Sequence, residues 1–186
     1  LVSGDQVSLV NLPHNGGKGA AVSAGLREAG RRGFTHAIQI DADGQHDLAD
    51  LKTFTASAQQ YPDHLISGYP RYDASIPKSR LYGRYLTHVW VWINTLSLQI
   101  KDSMCGYRVY PLARILPLID AGTLGQRMDF DPEILVQAHW HGIPMRWIET
   151  RVTYPLDGIS HFDVWRDNML ISKMHAKLFF LMMWQL

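Results

Sequence analysis

The stretch Ile-Gln-Ile-Asp-Ala-Asp-Gly-Gln-His-Asp, residues 38–47, joins an apolar run to closely spaced carboxylates and a glycine. A β-branched run before a glycine turn predicts a buried strand that ends at the rim of a sheet. In an extended backbone the side chains of Asp41 and Asp43 leave on the same face, and Gly44 permits a sharp turn that brings Gln45 near them. Their oxygens suit a hard divalent cation, with waters and substrate phosphates completing its shell.

Two interpretations of these acids stay open. They are either ligands of a divalent cation or solvated loop acids that follow a strand. An EF-hand is disfavoured, because its loop needs a carboxylate near position 52, where the chain has Lys52. The surrounding sequence is therefore needed to choose between a metal site and an ordinary loop.

The segment before this stretch predicts a strand, a glycine-rich loop and a helix. Residues 7–10 are a short β-branched run, residues 11–17 are rich in Pro, Asn and Gly, and helix formers then continue to Gly30. Lys18 stands at the start of this helix, where a cation is unfavourable unless an anion lies nearby. We therefore expect a phosphate or an acidic partner for Lys18, the alternative being a solvated lysine beside a tight turn. A Walker loop is excluded by the spacing.

The segments after it alternate between strand and helix. Residues 36–40 predict a strand, residues 48–60 a helix that Pro62 terminates, and residues 65–68 a further short strand. Such alternation predicts an α/β fold with a mostly parallel sheet and helices on both faces. In these sheets ligands bind beyond the carboxyl ends of the strands, which is where Asp41 and its neighbours fall.

Three motifs occur in the order typical of one enzyme family. Residues 15–21 read Asn-Gly-Gly-Lys-Gly-Ala-Ala, residues 41–46 read Asp-Ala-Asp-Gly-Gln-His, and residues 102–108 read Asp-Ser-Met-Cys-Gly-Tyr-Arg. Together they resemble the family two glycosyltransferases of the GT-A fold, especially the branch that transfers sugars to polyprenyl or dolichyl phosphates. The resemblance implies a Rossmann-like nucleotide-diphospho-sugar transferase fold whose first strands are not in this sequence.

The resemblance also implies the chemistry of the site. It implies a nucleotide-sugar donor, inversion at the anomeric carbon, and Mg²⁺ or Mn²⁺ held at Asp41, Asp43 and Gln45, with Asp43 serving catalysis as well. Asp102 is expected near the sugar on the acceptor side, and Arg108 is expected to pair with acids of the site. The alternative is that Asp102 caps a turn and Arg108 makes a structural ion pair.

Several polar residues, besides Lys18, are expected near the donor phosphates. Arg71 and Arg80 lie in a proline-broken stretch, residues 69–80, and guanidinium groups fork onto phosphate oxygens. In the resembled family a mobile loop with a Ser and a basic residue closes over the phosphates, and Ser160 and His161 match that loop loosely. His161 stands where a stronger cation often occurs, and a solvated loop is the alternative for the arginines.

Three acids surround the predicted start of a later helix. Asp129, Asp131 and Glu133 lie near Pro132, which is at a favoured early helical position, and acids there complement the helix dipole. The resemblance places such residues on the acceptor side. We expect Asp129 or Asp131 to act as a general base and Glu133 to contact the acceptor, without a choice between the two aspartates.

The composition limits the other possibilities. A chain of 186 residues, 46% hydrophobic and 19% charged, is expected to form one globular catalytic domain over residues 1–186. The net charge of +1 gives no reason to expect nucleic-acid binding. Cys105 stands alone, which suits a reducing compartment, and we predict it to be a packed residue rather than a nucleophile. We expect a cytoplasmic protein.

The two ends suggest a fragment. The chain opens with Leu1, and residues 162–186 predict a helix whose apolar end stops without a helix stop signal. That helix is expected to continue, or to contact the cytoplasmic face of a membrane, with Lys173 and Lys177 beside anionic headgroups. We expect the chain to lack the pocket for the nucleotide base and to be inactive alone.

The sequence thus predicts a metal-dependent inverting glycosyltransferase that moves a sugar to a lipid-linked phosphate or a hydroxyl acceptor. Two alternatives remain. One is a noncatalytic binding or scaffold module of GT-A architecture, in which Asp41 and Asp43 are ordinary rim acids. The other is a sugar-phosphate nucleotidyltransferase, which would release pyrophosphate rather than a nucleoside diphosphate.

Overall fold

The structure is a computed structural model that describes residues 7–72, 78–152 and 164–185, without the side chains of residues 72, 78–81 and 164. These residues form α-helices and strands that alternate along most of the chain. The elements are α1 (Lys18–Arg31), β1 (His36–Gln39), a 3-10 turn (Leu48–Asp50), α2 (Leu51–Gln60), β2 (Leu65–Tyr72), α3 (Lys78–Thr95), β3 (Arg108–Pro111), α4 (Leu112–Asp120), α5 (Phe130–Trp140), β4 (Met145–Val152) and α6 (Val164–Gln185).

The sheet has the strand order β1-β3-β2-β4 in the described residues. Strands β1, β2 and β4 point the same way, as the predicted parallel sheet requires, but β3 runs antiparallel to both of its neighbours. The connection through α3 leaves the sheet at the carboxyl end of β2 and returns to the sheet at that same end. Strand β3 therefore runs in the direction opposite to β2. This places Arg108, the first residue of β3, beside Gln39, the last residue of β1.

Three element predictions need correction. Residues 7–10 are not part of the sheet, and Val7 and Leu9 are exposed, since β propensity without a pairing partner does not make a strand. Strand β2 continues to Tyr72 because its second half pairs with β4, and Pro70 is tolerated because β3 pairs only with the first half of β2. Apolar residues recur at helical spacing and predict a helix from residue 79 to about residue 100, but α3 ends at Thr95.

Helices cover both faces of the sheet, as predicted. The larger apolar core lies between one face and helices α1 and α3–α6, and it includes Leu26, Ile115 and Leu178. The smaller core lies under α2 and includes Phe54 and Tyr107. No helix within the described ranges is long and apolar enough to cross a bilayer.

Candidate functional site

Three elements bring charged side chains together at the carboxyl end of β1. The Lys18 Nζ at the start of α1 lies 2.7 Å from Asp41 Oδ2 and 2.5 Å from Asp131 Oδ2. Burial alone would lower the pKa of Lys18, but attraction to Asp131 and Asp41 outweighs burial and raises it to about 12. The expected acidic partner of Lys18 is therefore present, and it consists of two carboxylates. We call Lys18, Asp41 and Asp131 the edge cluster.

A second cation, Arg108, pairs with Asp131 of the edge cluster. Arg108 is fully buried, with Nη1 3.5 Å from Asp131 Oδ1, and it donates hydrogen bonds to the carbonyl oxygens of Cys105, Ser103 and Asp131. Attraction to Tyr110 and Asp131 outweighs burial and raises the pKa of Arg108 above its usual range. Arg108 therefore pairs with Asp131, which fits both the predicted pairing with an acid of the site and the alternative of a structural ion pair.

Gln39 links the Tyr110 hydroxyl to the two carboxylates of the edge cluster. Its Oε1 accepts a hydrogen bond of 2.8 Å from the Tyr110 hydroxyl, and its Nε2 lies 3.5 Å from oxygens of both Asp41 and Asp131. Two carboxylates, two cations and an amide therefore form one partly buried network. Such a network fixes the position of each charge before any ligand arrives.

Gly106 fixes Asp41 from the other side. A Cβ atom on Gly106 would lie 2.1 Å from Asp41 Oδ2 and 2.3 Å from its Cγ, so the carboxylate occupies the space that any side chain would fill. Sequence analysis assigned no reason for this glycine within the 102–108 motif. The contact joins residues from distant parts of the chain, and local sequence carries no signal for it.

The turn after Asp41 presents Asp43 to solvent. Gly44 has a φ of 71°, and the Gln45 N–H donates a hydrogen bond of 3.0 Å to Asp43 Oδ1, which confirms the predicted turn. Asp43 is exposed, whereas Asp41 is partly buried. Among the described residues, the Asp43 carboxylate contacts this N–H and no cation.

His46 is a polar residue of this turn that sequence analysis did not single out. Its Nδ1 is buried without a hydrogen-bond partner, and so is the hydroxyl of Tyr107, with the two ring centroids 5.4 Å apart. Burial lowers the pKa of His46, while Asp41 and Asp43 act in the opposite direction. Buried atoms of this kind need a water or a ligand, so the inner wall of the turn is polar and unsatisfied.

The carboxylates fit a metal site in which protein side chains supply only part of the ligand shell. No group of three or more His, Cys, Asp or Glu side chains in the described part of the chain could hold a metal ion. Mg²⁺ is often bound by one or two carboxylates, with phosphates and waters completing the shell. The exposed Asp43 suits such a shared site, and Asp41 has one oxygen already paired with Lys18.

Asp102 is buried and its carboxylate is fully engaged. Arg84 grips it through two contacts of 2.7 and 2.6 Å, and the backbone N–H groups of Met104 and Cys105 also donate to it. Burial would raise the pKa of Asp102, but Arg84 and His88 hold it below its usual range. This placement favours a turn-organising role over contact with an acceptor.

Cys105 packs in the smaller core, as predicted. Its side chain is buried, and burial raises the pKa of the thiol to about 11. The Cys105 thiol is therefore protonated at neutral pH and is not an activated nucleophile.

Asp129 lines a cavity of about 300 Å³ whose lining residues do not include those of the edge cluster. It is partly exposed, and its Oδ1 accepts a hydrogen bond of 3.0 Å from the Arg127 N–H. The cavity lies between the glycine-rich loop, the loop before α5 and helix α6, and it is lined by His14, Asn15, Gly16, Gln126, Arg127, Asp129 and Leu170.

Glu133 is set apart from Asp129 by burial and pairing. It is buried, its Oε1 lies 2.6 Å from Lys177 Nζ, and its Oε2 accepts from the Gly125 N–H. Asp131 is likewise buried and paired. Of the three acids near this helix start, only Asp129 is both partly exposed and free of an ion pair among the described residues.

The predicted donor-side cations are less well placed. Arg71 lies on β2, not in a loop, and its exposed side chain is 3.7 Å from Glu149 rather than beside the edge cluster. Ser160, His161 and the side chain of Arg80 lie outside the described residues.

The sequence is similar to one characterised relative. Over 143 residues it is 27% identical to the dolichyl-phosphate beta-glucosyltransferase ALG5D of Trichomonas vaginalis, covering 71% of this chain and 42% of that protein. A scan of known protein families finds none that matches the chain.

Two solved structures match over most of the chain. Both are glucosyl-3-phosphoglycerate synthase from Mycobacterium tuberculosis. The complex with uridine-diphosphate has a TM-score of 0.62 at 11% identity, and the complex with phosphoglyceric acid has a TM-score of 0.61 at 12% identity. Each match covers 90% of this chain and 56% of the other.

This chain has the GT-A glycosyltransferase fold. The predicted fold and the resemblance to sugar transferases are confirmed, and the proteins that this chain resembles are named as a dolichyl-phosphate beta-glucosyltransferase and a glucosyl-3-phosphoglycerate synthase. The chain spans about half the length of the proteins it matches.

Proposed function

We propose that this chain is the catalytic part of a metal-dependent inverting glycosyltransferase, with a nucleotide-sugar donor and a lipid-linked phosphate as acceptor. The single observation that supports this most is the edge cluster at the carboxyl end of β1, with the exposed Asp43 on the adjoining turn. Ligands of open α/β sheets bind at such edges. Lys18 neutralises part of the negative charge there, which reduces the repulsion that a diphosphate would meet.

The cation would be Mg²⁺ or Mn²⁺. In this proposal Asp43 holds it together with Asp41 and Gln45. When bound, the cation offsets the charge that develops on the departing diphosphate. Arg71, Arg80, Ser160 and His161 remain proposed contacts of the donor phosphates.

The proposed reaction is a single displacement. An acceptor oxygen attacks the anomeric carbon from the face opposite the leaving group, a new C–O bond forms, and the bond to the nucleoside diphosphate breaks. A phosphate acceptor is already ionised at neutral pH and needs no base. The names of the similar proteins, which mention dolichyl-phosphate and phosphoglyceric acid, support an acceptor that carries a phosphate.

A hydroxyl acceptor would need a general base. Asp129 is the best placed of the predicted candidates, because it lines the cavity and is partly exposed. Asp131 is proposed instead to orient Lys18 and Asp41, since its own oxygens face Lys18, Arg108 and Gln39. We propose a structural role for Glu133 and Asp102, whose carboxylates are occupied by ion pairs.

The test measures protection against thermal unfolding by UDP in the presence of Mn²⁺, at UDP concentrations high enough to compensate for the base contacts that the chain is expected to lack. A ligand at about 100 times its Kd adds about 2.7 kcal/mol, which raises the Tm of a chain of this size by roughly 5–10 °C. We expect this shift in the unmodified chain and in Asp63→Asn, an exposed aspartate away from the edge. In Asp43→Asn the shift should fall below about 2 °C.

An equal shift in Asp43→Asn, or no shift in any form, would contradict the proposal and favour the scaffold alternative. A nucleotidyltransferase is distinguished by its product. Incubation with a sugar-labelled nucleotide sugar and a polyprenyl phosphate should yield labelled lipid and nucleoside diphosphate if any turnover occurs, whereas release of pyrophosphate would contradict the assignment.

A further inference from the structure

Helix α3 has its polar side inside and its apolar side outside. Four of the residues that face the protein interior are polar and buried, namely Thr87, His88, Asn94 and Thr95. From residue 82 onward the residues on the opposite side are large apolar or aromatic ones, with the exposed Gly83 at the margin of this surface. The outer set, with the adjoining Leu96, is Tyr82 (71% exposed), Tyr85 (55%), Leu86 (63%), Val89 (45%), Trp90 (39%), Ile93 (37%) and Leu96 (66%). At about 100° per residue this set spans an arc of about 140°. We call it the outer face of α3.

The polar inner side is explained by specific hydrogen bonds. The Asn94 side chain bonds to His175 on α6, its carbonyl accepts from the Trp140 indole, and the His88 Nε2 accepts from the Ser103 N–H. Contacts of this kind do not explain the exposed apolar residues of the outer face. A contiguous apolar surface of this kind marks a site that is covered when the protein works.

The inner side of α3 is also connected to the edge cluster through a series of contacts. Arg84 and His88 hold Asp102 and Ser103, which begin the loop that ends at Gly106, and Gly106 packs on Asp41. An α-helix with its side chains is about 10–12 Å thick. The outer face of α3 and the edge cluster are therefore separated by one helix and one short loop.

Resting on the proposed function, we propose that the outer face of α3 docks onto the headgroup and upper acyl region of a lipid leaflet. Residues 74–101 contain no acidic residue but include Lys78, Arg80 and Lys101, besides Arg84, which is paired with Asp102, a charge balance compatible with anionic lipids. Tyr and Trp, which make up three of the outer residues, are enriched at membrane interfaces. The arc is also wider than the narrow seam of a coiled coil, which argues against helix pairing with a second copy.

This surface differs from the one expected from the sequence. The predicted membrane contact was the C-terminal end of α6, where Phe180 and Trp184 are exposed. The outer face of α3 is larger and adjoins the loop that supports Asp41. A leaflet on this face would bring the phosphate of an embedded lipid acceptor toward the edge cluster.

The test is co-sedimentation of the chain with vesicles of equimolar phosphatidylcholine and phosphatidylglycerol, without nucleotide. The variant Leu86→Glu/Ile93→Glu places two charges on the outer face, where both side chains are exposed and need not disturb the core. The matched control is Phe34→Glu/Leu48→Glu, which changes two exposed apolar residues elsewhere. A charged residue is strongly disfavoured in an apolar layer, so we expect the α3 variant to lose at least tenfold in vesicle affinity and the control to lose less than twofold.

Equal binding by the α3 variant and the control would overturn the proposal, as would absence of vesicle binding by the unmodified chain. So would loss of binding only in Phe180→Glu/Trp184→Glu, which would assign the contact to α6. A dimer in solution that Leu86→Glu/Ile93→Glu converts to a monomer, with unchanged vesicle binding, would identify a second copy as the occupant. The UDP protection assay reads the proposed function separately, because neither assay needs the other's ligand.

Discussion

Lys18 shows how a single side chain sets the charge of the site. Its ammonium lies between Asp41 and Asp131, which would otherwise face one another at a partly buried edge. Both ion pairs hold side chains that are less than a quarter exposed, so solvent screens them only in part. The network is therefore expected to contribute to stability as well as to ligand binding.

Replacing Lys18 with Met should destabilise the fold by about 3 kcal/mol, because two carboxylates lose their shared cation in a poorly solvated place. Urea unfolding measures the loss. The exposed Lys52→Met is the control and should change the free energy of unfolding by less than about 0.5 kcal/mol. Adding Asp41→Asn, whose ion pair is with Lys18, to Lys18→Met should recover part of the loss, and a further loss instead would contradict the shared-cation account.

Gly106→Ala tests the contact that positions Asp41. The added methyl must displace the Asp41 carboxylate, which is the end of a short side chain and can move. We expect a stability cost of only about 1–2 kcal/mol but at least a tenfold weaker response to UDP with Mn²⁺. Unchanged UDP protection in Gly106→Ala would show that the position of Asp41 does not matter for the ligand.

For single residues, prediction from the sequence succeeded where a side chain was electrostatically unfavourable in its local position. A lysine at a helix start predicted a nearby anion, and that prediction is confirmed. Reasoning did not identify Gly106, Gln39 or His46, because their roles arise from contacts between segments that are distant in sequence. The predicted positions of Arg71 beside the donor site and Asp102 beside the sugar are not supported by their observed contacts.

Among the elements, α1 has three glycines, and two of them, Gly19 and Gly25, are in opposite situations. A Cβ on Gly19 would lie 2.5 Å from the Phe130 Cβ and 2.7 Å from the Gly125 carbonyl oxygen, whereas a Cβ on Gly25 would meet nothing within 4 Å. Gly19→Ala should therefore cost about 1–3 kcal/mol, and Gly25→Ala should add about 0.5–1 kcal/mol. Thermal unfolding of the two variants checks this, and a destabilising Gly25→Ala would contradict the described helix surface.

The contact between α3 and α6 should make stability depend on pH. Burial lowers the pKa of His175 from 6.5 to about 4, and its Nε2 is buried without a partner. Below pH 6.5 the unfolded chain binds a proton that the folded chain excludes, so stability should fall by up to about 3 kcal/mol as the pH drops toward 4.

His175→Gln should remove that contribution, and urea unfolding between pH 7 and pH 4.5 measures it. His46 acts in the same direction, so the informative quantity is the difference between the unmodified chain and the variant. His14→Gln, which changes an exposed histidine, should leave the slope as it is. Identical slopes in all three proteins would contradict the buried neutral state of His175.

The element pattern was largely predictable from periodicity and from Gly and Pro signals. The bounds of α1 and α2 follow the predicted ones closely. The direction of β3 was not predictable, since it depends on where the long connection through α3 re-enters the sheet. The β-branched run at residues 7–10 failed as a strand because pairing, not propensity, decides whether a strand forms.

At the scale of the whole molecule, the GT-A fold places the end of β1, the start of β3 and the start of α5 at one edge. That convergence joins Asp41, Arg108 and Asp131, which are widely separated in sequence. The ordered motifs predicted the fold because they mark the start of α1, the end of β1 and the start of β3. The acceptor and the membrane surface depend on faces that no motif marks, and they remain proposals.

The most direct measurement is an anomalous-scattering map from crystals of the chain grown with Mn²⁺ and UDP. We expect one Mn²⁺ peak beside the Asp43 carboxylate, in contact with the diphosphate of UDP, and no such peak in Asp43→Asn crystals. UDP bound with its diphosphate away from the turn at residues 41–46, or Mn²⁺ ordered only elsewhere, would contradict the proposed site.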